Sequence, residues 1–568
     1  MKRCPQCGRE YDATMMFCLD DGAELLYGPA NLSGSSDEPQ TAMLPSVDIP
    51  SEARTQAQIH TTEKTAILPT GTVEAPKAKG FDKRLILAPL VLSVIALGGF
   101  FGYRYFRTPD SGQINSIAVL PFENHSGTSD TDYLSDGLTD SLIFRFSQLP
   151  NLKVSPTSSV MRYKGSSKDI SDIAKELDVD GVLSGRLTQV GDNLSISVQL
   201  IDVRTKKLVW AEQYDRKMAD LLATQREIAT TLTQKMQLHL AGDEKGITKK
   251  YTSSNDAYQL YMKGRYHWAK RTREDMLAAF DSYKKAIDLD PNFALAYAAL
   301  AEAYNSMGKS GLDYSRNCIP LGKAAATRAL EIDPDLPEGH SALGDSLYLY
   351  DWDWAGASAH FKRALELDPN ISYIHIVYEG ELIWSGKVDQ AVGELEKALA
   401  MEPQAMINNG VLVDGYIYAR RYDKAIAQAR SAIELDPSFS MPHMSLGMAL
   451  VANKQYDEAI ASAAQPLSDP LPSIVVLAQA YAAMGKRPEA EQQIAKLREL
   501  ERTRYVKPYY LASIYTTLGD KDKAFAELEK ALDERDCYLS RLVVDPFFDP
   551  LRDDPRFKAI LKRMNLPQ

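Results

Sequence analysis

Three cysteines and one aspartate near the amino terminus are the residues in this chain best spaced for chemistry. Cys4-Pro5-Gln6-Cys7-Gly8 is followed by Phe17-Cys18-Leu19-Asp20-Asp21-Gly22. Two such turns, each offering ligands three positions apart, face one tetrahedral Zn²⁺, with Cys4, Cys7 and Cys18 as thiolates and Asp21 where a fourth cysteine would stand. The expected ion is structural, because neither turn carries a His or Glu to work on a bound water. The alternative is a short segment with free thiols. Cys318 and Cys537 lie far away in the sequence, so the clustering indicates a metal site and not a disulfide framework.

Other constellations carry less. Asp132, Asp136 and Asp140 recur every four residues on an expected helix and so share one face, which we read as solvated, with Asp136 near the helix start. Gly308-Lys309-Ser310 lacks the first glycine of a phosphate loop, since position 303 is Ala, and no strand precedes it. The eight histidines are scattered, with no His-Glu-x-x-His and no Gly-x-Ser-x-Gly in the chain. No reaction is indicated, and the chain reads as a non-enzyme.

With 568 residues and 45% apolar content, the chain is long enough for several independent cores. Its formal charge of −11, without a long Lys/Arg run, disfavours a nucleic-acid surface built on phosphate neutralisation. Residues 1–28 hold the cysteine cluster. Residues 29–80 contain no Phe, Trp or Tyr and are rich in Pro, Thr, Ser and Ala, so they read as a disordered linker. Within it Thr41-Ala42-Met43-Leu44-Pro45 is echoed by Thr65-Ala66-Ile67-Leu68-Pro69, as a coincidence of composition or a repeated docking or Thr-phosphorylation motif.

Residues 85–103, LILAPLVLSVIALGGFFGY, are uncharged and close to the ~20 residues a helix needs to cross a bilayer. Lys77, Lys79, Lys83 and Arg84 precede the run, and Arg104 and Arg107 follow it. The excess on the amino-terminal side predicts a single-pass helix in the cytoplasmic membrane, with the amino terminus cytoplasmic and the later domains periplasmic or extracellular. A reducing cytoplasm also suits thiolate ligands.

Residues 114–241 show a mixed α/β pattern. Expected elements are a strand at Ile117–Phe122, a helix at 130–149, a strand at 152–155, a helix at 170–177, three antiparallel strands at 181–189, 194–203 and 207–214, and a closing helix from Met218.

From Asn255 onward Asp-Pro or Glu-Pro steps fall at Pro291, Pro334, Pro369, Pro403 and Pro437, with intervals of 43, 35, 34 and 34 residues. A small residue stands five positions before each proline, at Ala286, Ala329, Ala364, Ala398 and Ala432. This period is that of the tetratricopeptide repeat (TPR), a helix pair whose apolar face only a stacked neighbour covers. The proline is expected to bar helix at the acidic residue and to fit the first turn of the next helix. About eight repeats fill residues 255–568, with Asp545 to Phe557 as a terminal cap. Tyr297, Tyr304, Tyr416 and Arg420 read as packing between repeats.

Three resemblances accompany these readings. CPxCG…FCxxDG resembles small bacterial zinc ribbons, departing from them at Asp21. IAVLPFEN, YLSDGLTDSL, DVDGVLSGRL and LVWAEQYDR resemble the FlgO, CsgG and TolB amino-terminal type of envelope domain, which implies association with partners or with itself and no reaction. The repeat half, from Tyr258-Gln259-Leu260-Tyr261-Met262-Lys263-Gly264-Arg265-Tyr266, resembles that of membrane-anchored bacterial regulators in which a kinase, cyclase or winged-helix output precedes the membrane helix. Here only the ribbon stands in that place. The expected function is therefore a membrane-anchored scaffold whose TPR groove holds a protein or peptide. The alternative is a sensory or regulatory protein relaying occupancy of the outer domains to the ribbon.

Overall fold

The computed structural model describes residues 2–3, 10–11, 114–127, 131–149, 152–236, 249–465 and 467–566. The ligand set Cys4, Cys7, Cys18 and Asp21, the linker and the apolar run 85–103 lie outside these residues. Among the described residues no helix is long and apolar enough to cross a membrane, and no group of three metal-ligating side chains converges. Strands β1 (Lys2–Arg3) and β2 (Glu10–Tyr11) pair antiparallel, so the two ends of the segment carrying Cys4 and Cys7 are adjacent.

The α/β unit is a mixed sheet. Its strands are β3 (Ser116–Val119), β4 (Glu123–Asn124), β5 (Lys153–Val154), β6 (Gly181–Val190), β7 (Asn193–Asp202) and β8 (Lys207–Lys217), in the order β5-β3-β6-β7-β8 with β4 also on β6. β3 runs parallel to β5 and β6, whereas β6, β7 and β8 form the expected antiparallel meander. Gly191 and Asp192 make the two-residue turn between β6 and β7, and φ of +57° at Gly191 is the left-handed first position such a hairpin needs. The helices are α1 (Asp132–Ser147), α2 (Thr157–Met161), α3 (Ile170–Leu177) and α4 (Leu221–Lys235). Leu134, Leu138, Leu142 and Phe146 recur every four residues on α1 and are fully buried with Ile196, Val198 and Leu200, which alternate along β7. Gly185 admits no side chain: a Cβ there would lie 2.3 Å from the Phe122 ring.

Eight helix pairs follow. They are α5 (Asn255–Lys270) and α6 (Arg273–Leu289), α7 (Ala294–Ser310) and α8 (Ser315–Ile332), α9 (Pro337–Ser346, continued as a wider turn to Asp351) and α10 (Trp354–Leu367), and α11 (Ser372–Trp384) and α12 (Val388–Met401). Next come α13 (Met406–Tyr418) and α14 (Tyr422–Leu435), α15 (Ser440–Ala452) and α16 (Tyr456–Ala463), α17 (Leu471–Ala483) and α18 (Arg487–Leu500), and α19 (Pro508–Thr517) and α20 (Lys521–Asp533). Two short 3₁₀ turns (Cys537–Arg541, Pro546–Leu551) and α21 (Pro555–Arg563) end the described chain.

The recurrent alanines are fully buried, and each accepts through its carbonyl the N–H of the acidic residue before the proline, as at Asp290→Ala286 and Asp368→Ala364. The proline itself differs from expectation. It precedes the next helix and sits second in a tight turn, where Phe293 donates to the Asp290 carbonyl, Leu336 to Asp333, Ala405 to Glu402 and Phe439 to Asp436. Its fixed φ suits the second position of such a turn as well as it suits a helix start. The proline carbonyl then meets a side chain six residues on: His340 on Pro334 at 2.9 Å, His375 on Pro369 at 3.0 Å, Asn409 on Pro403 at 2.9 Å and His443 on Pro437 at 3.0 Å. Four consecutive turns are therefore tied to the helix that follows them.

These turns also seat the α/β unit. Lys249, just before α5, reaches Asp333 at 2.6 Å, Ser158 on α2 donates to Glu402 at 3.0 Å, and Asn370 donates to the Ser147 carbonyl at 3.3 Å.

Candidate functional site

In a stacked-pair superhelix the first helix of each pair lines the concave side. Here α7, α9 and α11 are linked across that side by Lys309, whose Nζ lies 2.7 Å from Asp345 Oδ2 and 3.0 Å from the Tyr373 hydroxyl. Asn305 donates to the Ala342 carbonyl and accepts from Ser346. Burial pushes the Asp345 carboxyl up against the pull of Lys309.

The chain's own carboxy-terminal residues occupy much of this surface. Arg541 places Nη1 3.2 Å from Asp414 Oδ2 on α13 and 3.3 Å from the Tyr418 hydroxyl. Trp354, at the start of α10, donates through Nε1 to the Met564 carbonyl at 2.8 Å. Arg535 donates to the Tyr350 carbonyl at 3.0 Å and stacks 4.0 Å above the Trp352 ring. Lys507 donates to the Gly308 carbonyl at 2.9 Å, and Arg420 pairs with Asp549 at 2.9 Å. The tail thus does more than cap the last pair. It does pack on α19 and α20, but it also reaches back to the second, third, fourth and fifth pairs.

A second concave region stays open. Helix α1 of the α/β unit faces the first helices of pairs one to three, α5, α7 and α9, across a cleft of about 70 Å³. Its charged lining is Asp140 and Arg145 from α1, Arg265 from α5, Glu302 from α7 and Glu338 from α9. Arg265 Nη2 lies 3.2 Å from Asp140 Oδ2, and its side chain keeps 40% of its surface accessible. Asp140 accepts from Thr157 at 2.8 Å, Tyr258 donates to Ser141 at 2.8 Å, and Glu302 accepts from the Trp268 indole at 3.1 Å. Glu338 Oε2 is buried without a hydrogen-bond partner, and burial pushes that carboxyl up to about 7. The proximity of Asp140 holds the Arg265 guanidinium charged.

The aspartates of α1 depart from the solvated face expected of them. Asp136 is buried, with both carboxylate oxygens 2.8 Å from Lys164 Nζ, and lies in the second turn of the helix rather than at its start. Asp132 accepts from Asn124 at 2.7 Å, and Asp140 faces Arg265. The reason is tertiary: residues 157–164 and α5 pack over this face, and four-residue spacing alone does not distinguish water from a neighbouring element. Lys309 of the rejected phosphate loop is the concave-side cation described above. Tyr297 and Tyr416 are buried, Tyr304 stacks 4.9 Å from Phe280, and Arg420 holds the tail, in keeping with packing roles.

Sequence reasoning passed over Arg265, Glu338 and Arg541. A signal existed for the first: Tyr258, Tyr261, Met262 and Arg265 fall on one helical face, where a cation on an apolar stripe requires a partner. Arg541 has no local signal, because Asp414 lies 127 positions away.

Comparison with known proteins divides the chain similarly. Residues 113–239 match the family model of the HilA/YgeH-like transcriptional regulator, second domain, rather than one named for the envelope domains they resemble in sequence. Residues 282–312, 411–470 and 509–535 match tetratricopeptide repeat models. A Rhizobium meliloti protein named as adenylate cyclase 3 is 31% identical over 238 residues, 41% of this chain and 40% of its own length. The transcriptional regulator HilA of Salmonella typhimurium is 26% identical over 303 residues, 51% of this chain and 53% of its own length. The chain therefore spans about half or less of the curated relatives it matches. Among solved structures, a thermophilic TPR protein of Thermus thermophilus is similar at 20% identity, with a TM-score of 0.29 over 34% of this chain and 99% of that one. The carboxy-terminal half is thus a TPR array, joined to a small sheet unit.

Proposed function

We propose that this chain is a membrane-anchored interaction scaffold. In this reading residues 85–103 cross the cytoplasmic membrane once, residues 1–80 lie in the cytoplasm, and the repeats outside hold a protein or peptide. The observation that carries the binding role is the grip of the repeats on a segment of polypeptide, by Asp414 on the concave-side helix α13 and by Trp354 where the outer helix α10 begins. Trp354 takes a main-chain carbonyl of the tail and Asp414 takes its Arg541, one contact indifferent to sequence and one selective, as in peptide recognition. A partner segment engages the concave side by the same two kinds of contact.

The test uses the full chain in its membrane, with a photo-crosslinking residue at Met444 on α15, a concave-side helix, or at exposed Leu435 on the outer helix α14. Cross-linking to one protein from position 444 and not from 435 supports the scaffold. Cross-linking from 435 alone, or from neither, overturns the concave-side reading.

A regulatory reading has one observation in its favour: the α/β unit matches a domain of transcriptional regulators, and two relatives carry regulator and cyclase names. It requires that partners be captured by residues 1–80 and that their capture change when the concave side is filled. For the amino terminus we propose one structural Zn²⁺ on Cys4, Cys7, Cys18 and Asp21, in keeping with the β1–β2 ladder that closes the first turn. Metal analysis of the purified chain should give one zinc, lost in Cys4→Ser. A metal-free chain with the same amino-terminal order overturns the ribbon.

A further inference from the structure

The cleft between α1 and the first three helix pairs is open, and it holds a partly accessible guanidinium together with a buried carboxylate oxygen that has no hydrogen-bond partner. Asp140 Oδ2 lies 3.2 Å from Arg265 Nη2, and the Arg265 side chain keeps 40% of its surface accessible. In the same cleft Glu338 Oε2 is buried without a donor, which is costly for a carboxylate oxygen. Tyr261 lines the cleft as well, while Leu295 and Ala299 supply an apolar wall. A guanidinium and a carboxylate lining one cleft beside aromatic rings fit a molecule that carries both an anionic and a cationic group.

Size narrows the class. A volume of about 70 Å³, at ~10–15 Å³ for each water-sized occupant, takes on the order of five or six non-hydrogen atoms. That is the size of glycine or alanine.

We propose that this cleft binds a small α-amino acid, its carboxylate on the Arg265 guanidinium and its ammonium group on Glu338, with Glu302 beside it. Ligand occupancy then bridges the α/β unit and the repeats, since Asp140 and Arg145 come from one and Arg265, Glu302 and Glu338 from the other. Water filling the cleft is the competing occupant. It differs in having no preference among solutes.

The test is calorimetric titration of the full chain in detergent with L-alanine, and separately with acetate and with ethylamine, each of which offers one end only. Saturable binding of alanine is expected, weaker by about tenfold or more in Glu338→Gln and Arg265→Met, as fits removal of one charged contact. Ala299→Leu fills the cleft while leaving every charge in place and should abolish binding with the fold retained by circular dichroism. Absence of saturable binding up to about 10 mM, the weak limit for so small a ligand, overturns the proposal. So does binding of acetate or ethylamine as tight as that of alanine, or alanine binding unchanged by Ala299→Leu.

Discussion

Two stretches of the same concave side treat an arginine in opposite ways. At pairs one to three Arg265 meets Asp140 with side-chain exposures of 40% and 26%, whereas at pair five Arg541 meets Asp414 with exposures of 17% and 16%. Arg541 is further enclosed by Tyr418 and by the Tyr538 ring, 4.9 Å away, and Asp414 accepts a second hydrogen bond from Ser445. The enclosed pair is a fastener: its polar groups are consumed by one another. The accessible pair stays partly open to solvent, in a cleft where Glu338 Oε2 has no hydrogen-bond partner. Both stretches hold a buried carboxylate oxygen without a partner, Glu338 Oε2 and Glu379 Oε1, so what separates them is the accessibility of the neighbouring arginine.

The largest effect expected from breaking this contrast comes from Arg541→Ala. It strands Asp414 beside Glu379, so a loss of about 3–5 kcal/mol is expected, the usual cost of removing one partner of a buried pair. The measurement is the urea midpoint of the carboxy-terminal transition, and a loss below about 1 kcal/mol would show the pair to be solvated. Asp414→Asn combined with Arg541→Met should recover part of the loss.

Next is pH. Burial pushes Glu379 up to about 7 from its ordinary 4.5, opposed by Arg541. For an acid raised in the folded state the contribution to stability is complete below pH ~4.5 and fades as pH rises through about 7. Glu379→Gln removes that slope. The wild type should lose on the order of 2–3 kcal/mol relative to the variant between pH 5 and 8, read as diverging urea midpoints. Parallel midpoints would refute the assignment.

Third are the four proline carbonyls tied to His340, His375, Asn409 and His443. Asn409→Ala should cost about 1–2 kcal/mol, since Asn409 donates to the Pro403 and Ala405 carbonyls and accepts from Gln428, and Asn409→His should restore the part owed to Pro403, because His serves the neighbouring turns. Thermal unfolding distinguishes the two substitutions.

The repeat array was legible because its information is local and recurs: a proline every 34 or so residues, an alanine five before it, and helices between. The ladder of side chains on proline carbonyls was equally local, six residues on, and was overlooked because His and Asn look unrelated until both are seen donating to the same acceptor. In the α/β unit the antiparallel pairing of β6 with β7 follows from alternation along β7 and the Gly191 turn, whereas the parallel placement of β3 between β5 and β6 does not, and α2 and β4 are too short to leave a period. What stayed hidden depends on contacts between distant parts of the chain. Residues 132, 136 and 140 read as solvated until α5 and Lys164 cover them. The tail reads as a cap until Trp354 takes the Met564 carbonyl, 210 positions away. The open cleft exists only because α1 comes from one unit and α5, α7 and α9 from the other, so no single segment announces it.

The smallest expected effect sharpens the contrast most. Arg265→Met removes a guanidinium from the same concave side as Arg541→Met, at a site with comparable aromatic surroundings. Because Arg265 and Asp140 are accessible, water replaces the lost pair, and Asp140 keeps its hydrogen bond from Thr157. The stability change should stay below about 1 kcal/mol, against several for the enclosed arginine. Urea titrations of the two variants side by side make the comparison. If Arg265→Met costs as much as Arg541→Met, the cleft is a second fastener and its charges are structural; if it costs little, they remain available to a ligand.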